Sequence, residues 1–198
     1  MAIPRPEPVE LHARAMDNLR YIRRTIERAG SFTAVPGLGG MLMGSTALVA
    51  AWIAGPRAGS VRWLFVWVAE ALVALSIGIV SAAWKARRVK IPLFSGPGRK
   101  FVAGFAPSML AGALLTAALF RAGHPAVLPG MWLLLYGAAV VSGGGASVRV
   151  VPLMGACFMA AGALALLLPA EWGSVVLAAS FGGVHIVFGT VIAVKYGG

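Results

Sequence analysis

Charge is scarce in this chain, and acidic charge scarcest. Asp, Glu, Lys and Arg make up 12% of its 198 residues, about half the usual share in a soluble domain. Hydrophobic residues make up 59%, and the mean hydropathy is +0.85. A soluble surface of that composition would carry large apolar patches, so an ordinary soluble fold is excluded. A single cysteine, Cys157, excludes an internal disulfide and any Cys-based metal site. Three histidines, His12, His124 and His185, are too scattered to supply metal-ligand spacing, and no cofactor is expected. The first 30 residues hold no apolar h-region, so no cleavable signal peptide is expected.

Reaction signatures are missing as well. The Gly-rich stretch Ser142-Gly143-Gly144-Gly145-Ala146-Ser147 has neither the lysine nor the preceding strand of a phosphate loop. It reads as a turn. An intramembrane serine protease of the rhomboid type needs a Gly-x-Ser-Gly serine facing a histidine in a later span. "GGVHIVFG" offers the histidine, but no Gly-x-Ser-Gly occurs, and Ser147 falls on the opposite side of the membrane. No catalytic constellation is legible.

What the chain does have is long apolar runs. Six stand between polar or basic breaks, at about 38–54, 63–84, 101–120, 127–142, 150–168 and 172–194. Most approach the ~20 residues that cross ~30 Å of hydrocarbon. The first and fourth are short. Backbone polar groups cannot be left bare in lipid, so the runs should be helices; barrel strands would alternate. The fold class expected is an all-α integral membrane protein of six transmembrane helices behind a cytoplasmic amphipathic interfacial helix. Residues 1–36 form the leading segment and 37–198 the transmembrane domain.

Seventeen Lys and Arg face six Asp and Glu, a net charge of +11. Their distribution sets the topology. With the N-terminus inside, fourteen of the seventeen lie on the inner side, leaving Arg57, Arg62 and Arg121 outside. That asymmetry is the positive-inside pattern. It places both termini in the cytoplasm, makes an even number of spans natural, and explains the basic balance without nucleic acid. The cytoplasmic membrane is the expected location.

Residues 9–29 read as an amphipathic helix. Leu11, Ala15, Leu19, Ile22, Ile26 and Ala29 form one stripe, and Arg20, Arg23, Arg24 and Arg28 lie mostly off it. Such a helix is expected on the inner leaflet, its arginines toward anionic headgroups. The same stripe also suits pairing with a protein partner or a second copy. With Lys85, Arg87, Arg88 and Lys90 it would form a basic cytoplasmic face.

Two faces of small residues stand out. Gly37, Gly40, Gly44, Ala47 and Ala51 line one side of the first span. Ala178, Gly182, His185, Gly189 and Ala193 line one side of the last. Both are expected to be helix-packing seams. His185 shares the second seam, so it should point at protein. Rise per residue puts Glu70, Tyr136 and His185 about 10, 14 and 16 Å below the outer edge, with Ser180 near Glu70 in depth. They are candidates for one intramembrane polar layer, either a tie between helices or a path for a proton or solute.

"AVPGLGGMLMG" and "VVPLMGACFMA" echo each other, with Gly three and Met seven residues after the proline. Ala106-Pro107 begins a fainter third copy, and Pro107 is expected to kink its span. The stretches "LRYIRRTIERAGSFTAVPGLGG" and "HIVFGTVIAVKYGG" resemble a family of uncharacterised small bacterial multi-pass membrane proteins. That resemblance covers the two ends and implies six spans behind a cytoplasmic helix, with no activity attached. The leading functional expectation is a non-enzymatic scaffold, accessory subunit or regulator. The alternative is a small channel or proton-linked carrier using the Glu/Tyr/His layer; a lipid-handling enzyme ranks third.

Overall fold

A computed structural model describes residues 16–22, 35–56, 59–88, 96–145 and 147–196. The chain divides into two compact units, Met1–Ser31 and Phe32–Gly198. In the first unit, residues 16–22 form a short exposed helix, α1, on which Arg20 contacts Asp17 at 3.4 Å. Arg23, Arg24 and Arg28 of the expected amphipathic helix lie outside the described residues, as does Lys90.

The second unit is built of helices. α2 is Gly37–Ala54, α3 is Val61–Arg88 and α4 is Gly96–Arg121. A 3-10 turn, Pro125–Val127, leads into α5, Leu128–Gly144; α6 is Val150–Leu167. The last span opens with a second 3-10 turn at Ala170–Trp172 and continues as α7, Gly173–Leu177. It then widens into π turns over Ala178–Val184 and finishes as α8, His185–Tyr196. Six of these segments are long and apolar enough to cross a membrane. The two short runs are completed by their flanks: α2 has 18 residues, and the fourth span reaches 20 with its 3-10 entry. α3, with 28 residues, is about 42 Å long at 1.5 Å per residue. It overshoots the hydrocarbon, which carries Lys85, Arg87 and Arg88 toward the headgroup level. α4 runs unbroken through Pro107.

The helices associate as two groups of three. α2 packs against α3 and the terminal helix; α5 packs against α4 and α6. The groups meet where α5 and α6 touch α7, the π turns and α8. Most of α3 and α4 faces outward, as apolar helices can in lipid.

Close backbone approach makes these groups. The two small-residue faces anticipated from sequence pack against each other. A Cβ on Gly40 would lie 3.2 Å from Gly189 Cα, and one on Gly44 would lie 2.6 Å from the Gly182 carbonyl. A Cβ on Gly37 would run into the backbone of Ala193. Gly37, Gly40, Gly44 and Ala47 are buried on α2, as are Gly182 and Gly189 opposite, while Ala51, Ala178 and Ala193 are partly buried.

A second glycine seam was not read from the sequence. Gly130, Gly137 and Gly144 recur every seven residues on α5, and Gly155 and Gly162 do so on α6. A Cβ on Gly137 would come 2.6 Å from the Gly155 carbonyl oxygen, and one on Gly155 2.8 Å from that of Gly137. The sequence echo falls on packed surfaces in both places. Gly39 meets Ser81, and Met43 reaches Gly78; Gly155 and Met159 meet Gly137.

This packing makes a direct prediction. Gly137→Ala and Gly155→Ala each force backbone apart, at a cost of about 1–3 kcal/mol. Gly183→Ala, where a Cβ would have open space, should be neutral or slightly stabilising. Thermal unfolding in mild detergent separates the two classes. Equal melting points for all three variants would contradict the seam.

Candidate functional site

The two groups meet through aromatic rings. Trp67 on α3, Tyr136 on α5, Phe158 on α6, and Phe181 and His185 on the last span form one cluster, with Phe105 of α4 at its edge. Tyr136 is the hub. Its ring lies edge-on to Phe105, Phe158, Phe181 and His185 at centroid distances of 6.0, 4.9, 5.2 and 5.4 Å. Edge-to-face pairs of this kind contribute ~0.5–1.5 kcal/mol each beyond the area they bury.

Within the cluster Tyr136 Oη lies 2.7 Å from His185 Nε2. His185 Nδ1 lies 2.8 Å from the Phe181 carbonyl oxygen, four residues back. A carbonyl only accepts, so Nδ1 carries a hydrogen. In the neutral ring Nε2 is then a bare acceptor, and the Tyr136 hydroxyl donates to it. Both nitrogens of a histidine that is 5% exposed are therefore engaged. The π turns immediately precede His185. Such wide turns inside α-helices occur frequently at functional sites.

Of the four residues proposed for a polar layer, the structure brings two together, Tyr136 and His185. Ser180 is buried in the π turns. Glu70 goes elsewhere: its Oε1 is 2.8 Å from Thr46 Oγ1 on α2. Rise per residue sets the depth of these groups but not their direction about the helix axis. Glu70 turns toward α2 through Thr46, whereas Trp63 and Trp67, on the same helix, turn toward Trp132 and Phe181.

A second network lies at the end opposite Lys85, Arg87 and Arg88. Trp63, fully buried, donates from Nε1 to Ser174 Oγ at 2.8 Å, and Ser174 donates to the Gly55 carbonyl at 2.8 Å. Gly55 ends α2 with φ +69°, a backbone state open to glycine at little cost. The Trp63 indole stacks on Trp132, 5.2 Å between centroids and 5° between planes. Trp132 in turn donates from Nε1 to Thr116 Oγ1 at 2.7 Å. One chain of contacts thus links α2, α7, α3, α5 and α4. Sequence reasoning missed it. The available signal was tryptophan near the start of α3 and of α5, where the indole's polar edge seeks a partner. Among the described residues, the buried Trp67 Nε1 has no hydrogen-bond partner.

At the opposite end Lys85, grouped by sequence with the exposed basic face, is instead 5% exposed. Its Nζ donates to the carbonyls of Val35 at 3.0 Å and Tyr196 at 3.2 Å. Tyr196 is the last residue of α8, where carbonyls lack helical partners and the dipole is negative. Lys85 therefore ties three helix ends together. Arg87 and Arg88 remain exposed, with the Arg88 guanidinium 3.8 Å above the Trp84 ring. Among the described residues no group of His, Cys, Asp and Glu could hold a metal ion. The chain matches no protein-family model, no curated protein and no solved structure.

The hydrogen-bond pattern reassigns the coupling within the membrane. Tyr136→Phe leaves His185 Nε2 buried without a donor and should cost ~1–3 kcal/mol. Its combination with His185→Gln should be non-additive, with an interaction energy of about 0.5–3 kcal/mol. Glu70→Gln with His185→Gln should add. Melting temperatures of the single and double variants decide it; coupling of Glu70 rather than Tyr136 to His185 would refute the assignment.

Proposed function

We propose that the chain is a non-enzymatic component of the cytoplasmic membrane. It serves as a scaffold, accessory subunit or regulator that turns a basic face to the cytoplasm. The observation that carries this reading is the state of His185. The most reactive buried group has both ring nitrogens occupied, by Tyr136 and by the Phe181 carbonyl, inside a jacket of aromatic rings. That is the chemistry of a tie between two helix groups, and it leaves no nitrogen for a substrate.

The groups still open to partners are the bases. Arg87 and Arg88 at the end of α3, Arg99 and Lys100 at the start of α4, Arg149 before α6 and Lys195 near the end of α8 are exposed. Alternation of the spans puts all of them at one end. Arg99 and Lys100 sit in the first turns of a helix, where the dipole opposes positive charge. Helix stability therefore does not account for them, whereas topology and an acidic or anionic neighbour do. Anionic lipid headgroups answer part of that charge.

A stoichiometric protein partner should therefore accompany the chain through purification in mild detergent. Reversing Arg87, Arg88, Arg99 and Lys100 to Glu should release it without lowering the melting point of the membrane domain. A wild-type chain that purifies alone, or a partner indifferent to the four reversals, would overturn the reading.

A second reading, a small proton-linked carrier, draws on one feature: two three-helix groups meet on a Tyr–His hydrogen bond beside π turns. Alternating access works by rocking such groups about a midplane site. In liposomes it would require pH-dependent flux that Tyr136→Phe abolishes.

A further inference from the structure

Glu70 is a carboxyl group in the middle of a membrane span, set apart from the Tyr136–His185 tie. Its Oε1 lies 2.8 Å from Thr46 Oγ1. The same hydroxyl lies 2.9 Å from the Met43 carbonyl and 3.3 Å from that of Leu42. A threonine hydroxyl has one hydrogen, and carbonyls can only accept. With Glu70 ionised, the threonine hydrogen goes either to the carboxylate or to a carbonyl, not to both. A protonated Glu70 lets both contacts be made. Its O–H donates to Thr46 Oγ1, and the threonine hydrogen goes to Met43, as hydroxyls in helices commonly bond to the preceding turn.

The surroundings agree. α2, the helix packed on this face of α3, has no ionisable side chain from Gly37 to Ala54. The basic groups of α3 nearest in sequence are Arg62 and Lys85, eight and fifteen residues away, or about 12 and 22 Å along the axis. Both are directed elsewhere: Arg62 donates to the Ile53 carbonyl, and Lys85 to those of Val35 and Tyr196. His185 approaches a different face of α2, the one bearing Gly40 and Gly44. Among the described residues no cation pairs with Glu70. An unpaired carboxylate at this depth would be costly. The acid is nevertheless only half-buried, and its neighbours Ala69, Ala71, Leu72 and Val73 are exposed, which in a bilayer means exposed to lipid.

We propose that Glu70 and Thr46 form an intramembrane proton-binding site that opens to the hydrocarbon and not to water. Its ligand is a proton, held on the Glu70 carboxyl and directed at Thr46. The site goes beyond the scaffold reading, which needs no titratable group within the spans. It also predicts a specific chemistry. A protonated acid facing lipid reacts with a hydrophobic carbodiimide. The acid proton passes to one carbodiimide nitrogen, and the carboxyl oxygen adds to the central carbon to give an O-acylisourea. The acyl group then moves from oxygen to nitrogen, leaving a stable N-acylurea. The reaction consists of an addition and a rearrangement, with no further reactant.

The test uses the full chain in liposomes at neutral pH. Dicyclohexylcarbodiimide should place one N-acylurea adduct on the peptide containing Glu70, read by mass spectrometry. A water-soluble carbodiimide should leave that peptide unmodified while reaching the exposed Glu171. The adduct should be lost in Glu70→Gln and should form faster in Thr46→Val, where the acid has lost its acceptor. Infrared difference spectra supply an independent readout: a carboxylic-acid carbonyl band present in the wild type and missing from Glu70→Gln. Modification of Glu70 by the water-soluble reagent would show a hydrated site and overturn the proposal. Absence of the infrared band from the wild type would show an ionised carboxylate and overturn it as well.

Discussion

Backbone-to-backbone contact between glycines is the constraint on which the rest of this structure depends. Lipid tails are as apolar as leucine side chains, so the spans gain little from hiding apolar surface from one another. They gain from close contact. The seam between α2 and the last span, and the seam between α5 and α6, bring carbonyls to within about a methyl group of the opposing backbone. Each seam joins two helices of one group, and in each a third helix packs on the outside. A side chain in either seam would separate the partners and loosen every contact beyond it.

Between the two groups the chemistry changes from glycine to aromatic. The rings of Trp63, Trp67, Trp132, Tyr136, Phe158 and Phe181 fill a gap that small residues would leave empty. Their polar edges are then placed by a few hydrogen bonds. The Tyr136–His185 bond crosses from one group to the other, and so does the stack of Trp63 on Trp132. These contacts fix how the groups sit together. Lys85 does the equivalent work at the basic end, where its ammonium gathers carbonyls from the entry to α2 and the exit of α8. Among the described residues, the groups these ties leave open include the exposed arginines and lysines at that end and, within the spans, the carboxyl of Glu70. Any role beyond holding six helices together must draw on those.

The course of the chain was determined by sequence alone. Run length specifies six spans because backbone groups in hydrocarbon leave the helix as the economical choice. The 3- and 4-residue spacing of Gly37, Gly40, Gly44 and Ala47, and of Gly182, His185 and Gly189, marked buried faces because helical geometry alone aligns them. The same spacing aimed His185 at protein. What only the tertiary structure decided is which face meets which. Depth along a helix can be counted from sequence at 1.5 Å per residue, but rotation about a neighbour cannot. For that reason Glu70 and His185 shared a slab on paper and are bonded to different helices in the fold. Lys85 looked like one more surface base because its partners are carbonyls, which every residue has and no sequence pattern reveals. The α5–α6 glycine seam had a visible seven-residue period. Its meaning depended on α5 and α6 lying side by side with their glycines in register, and that is settled by the packing of the whole bundle.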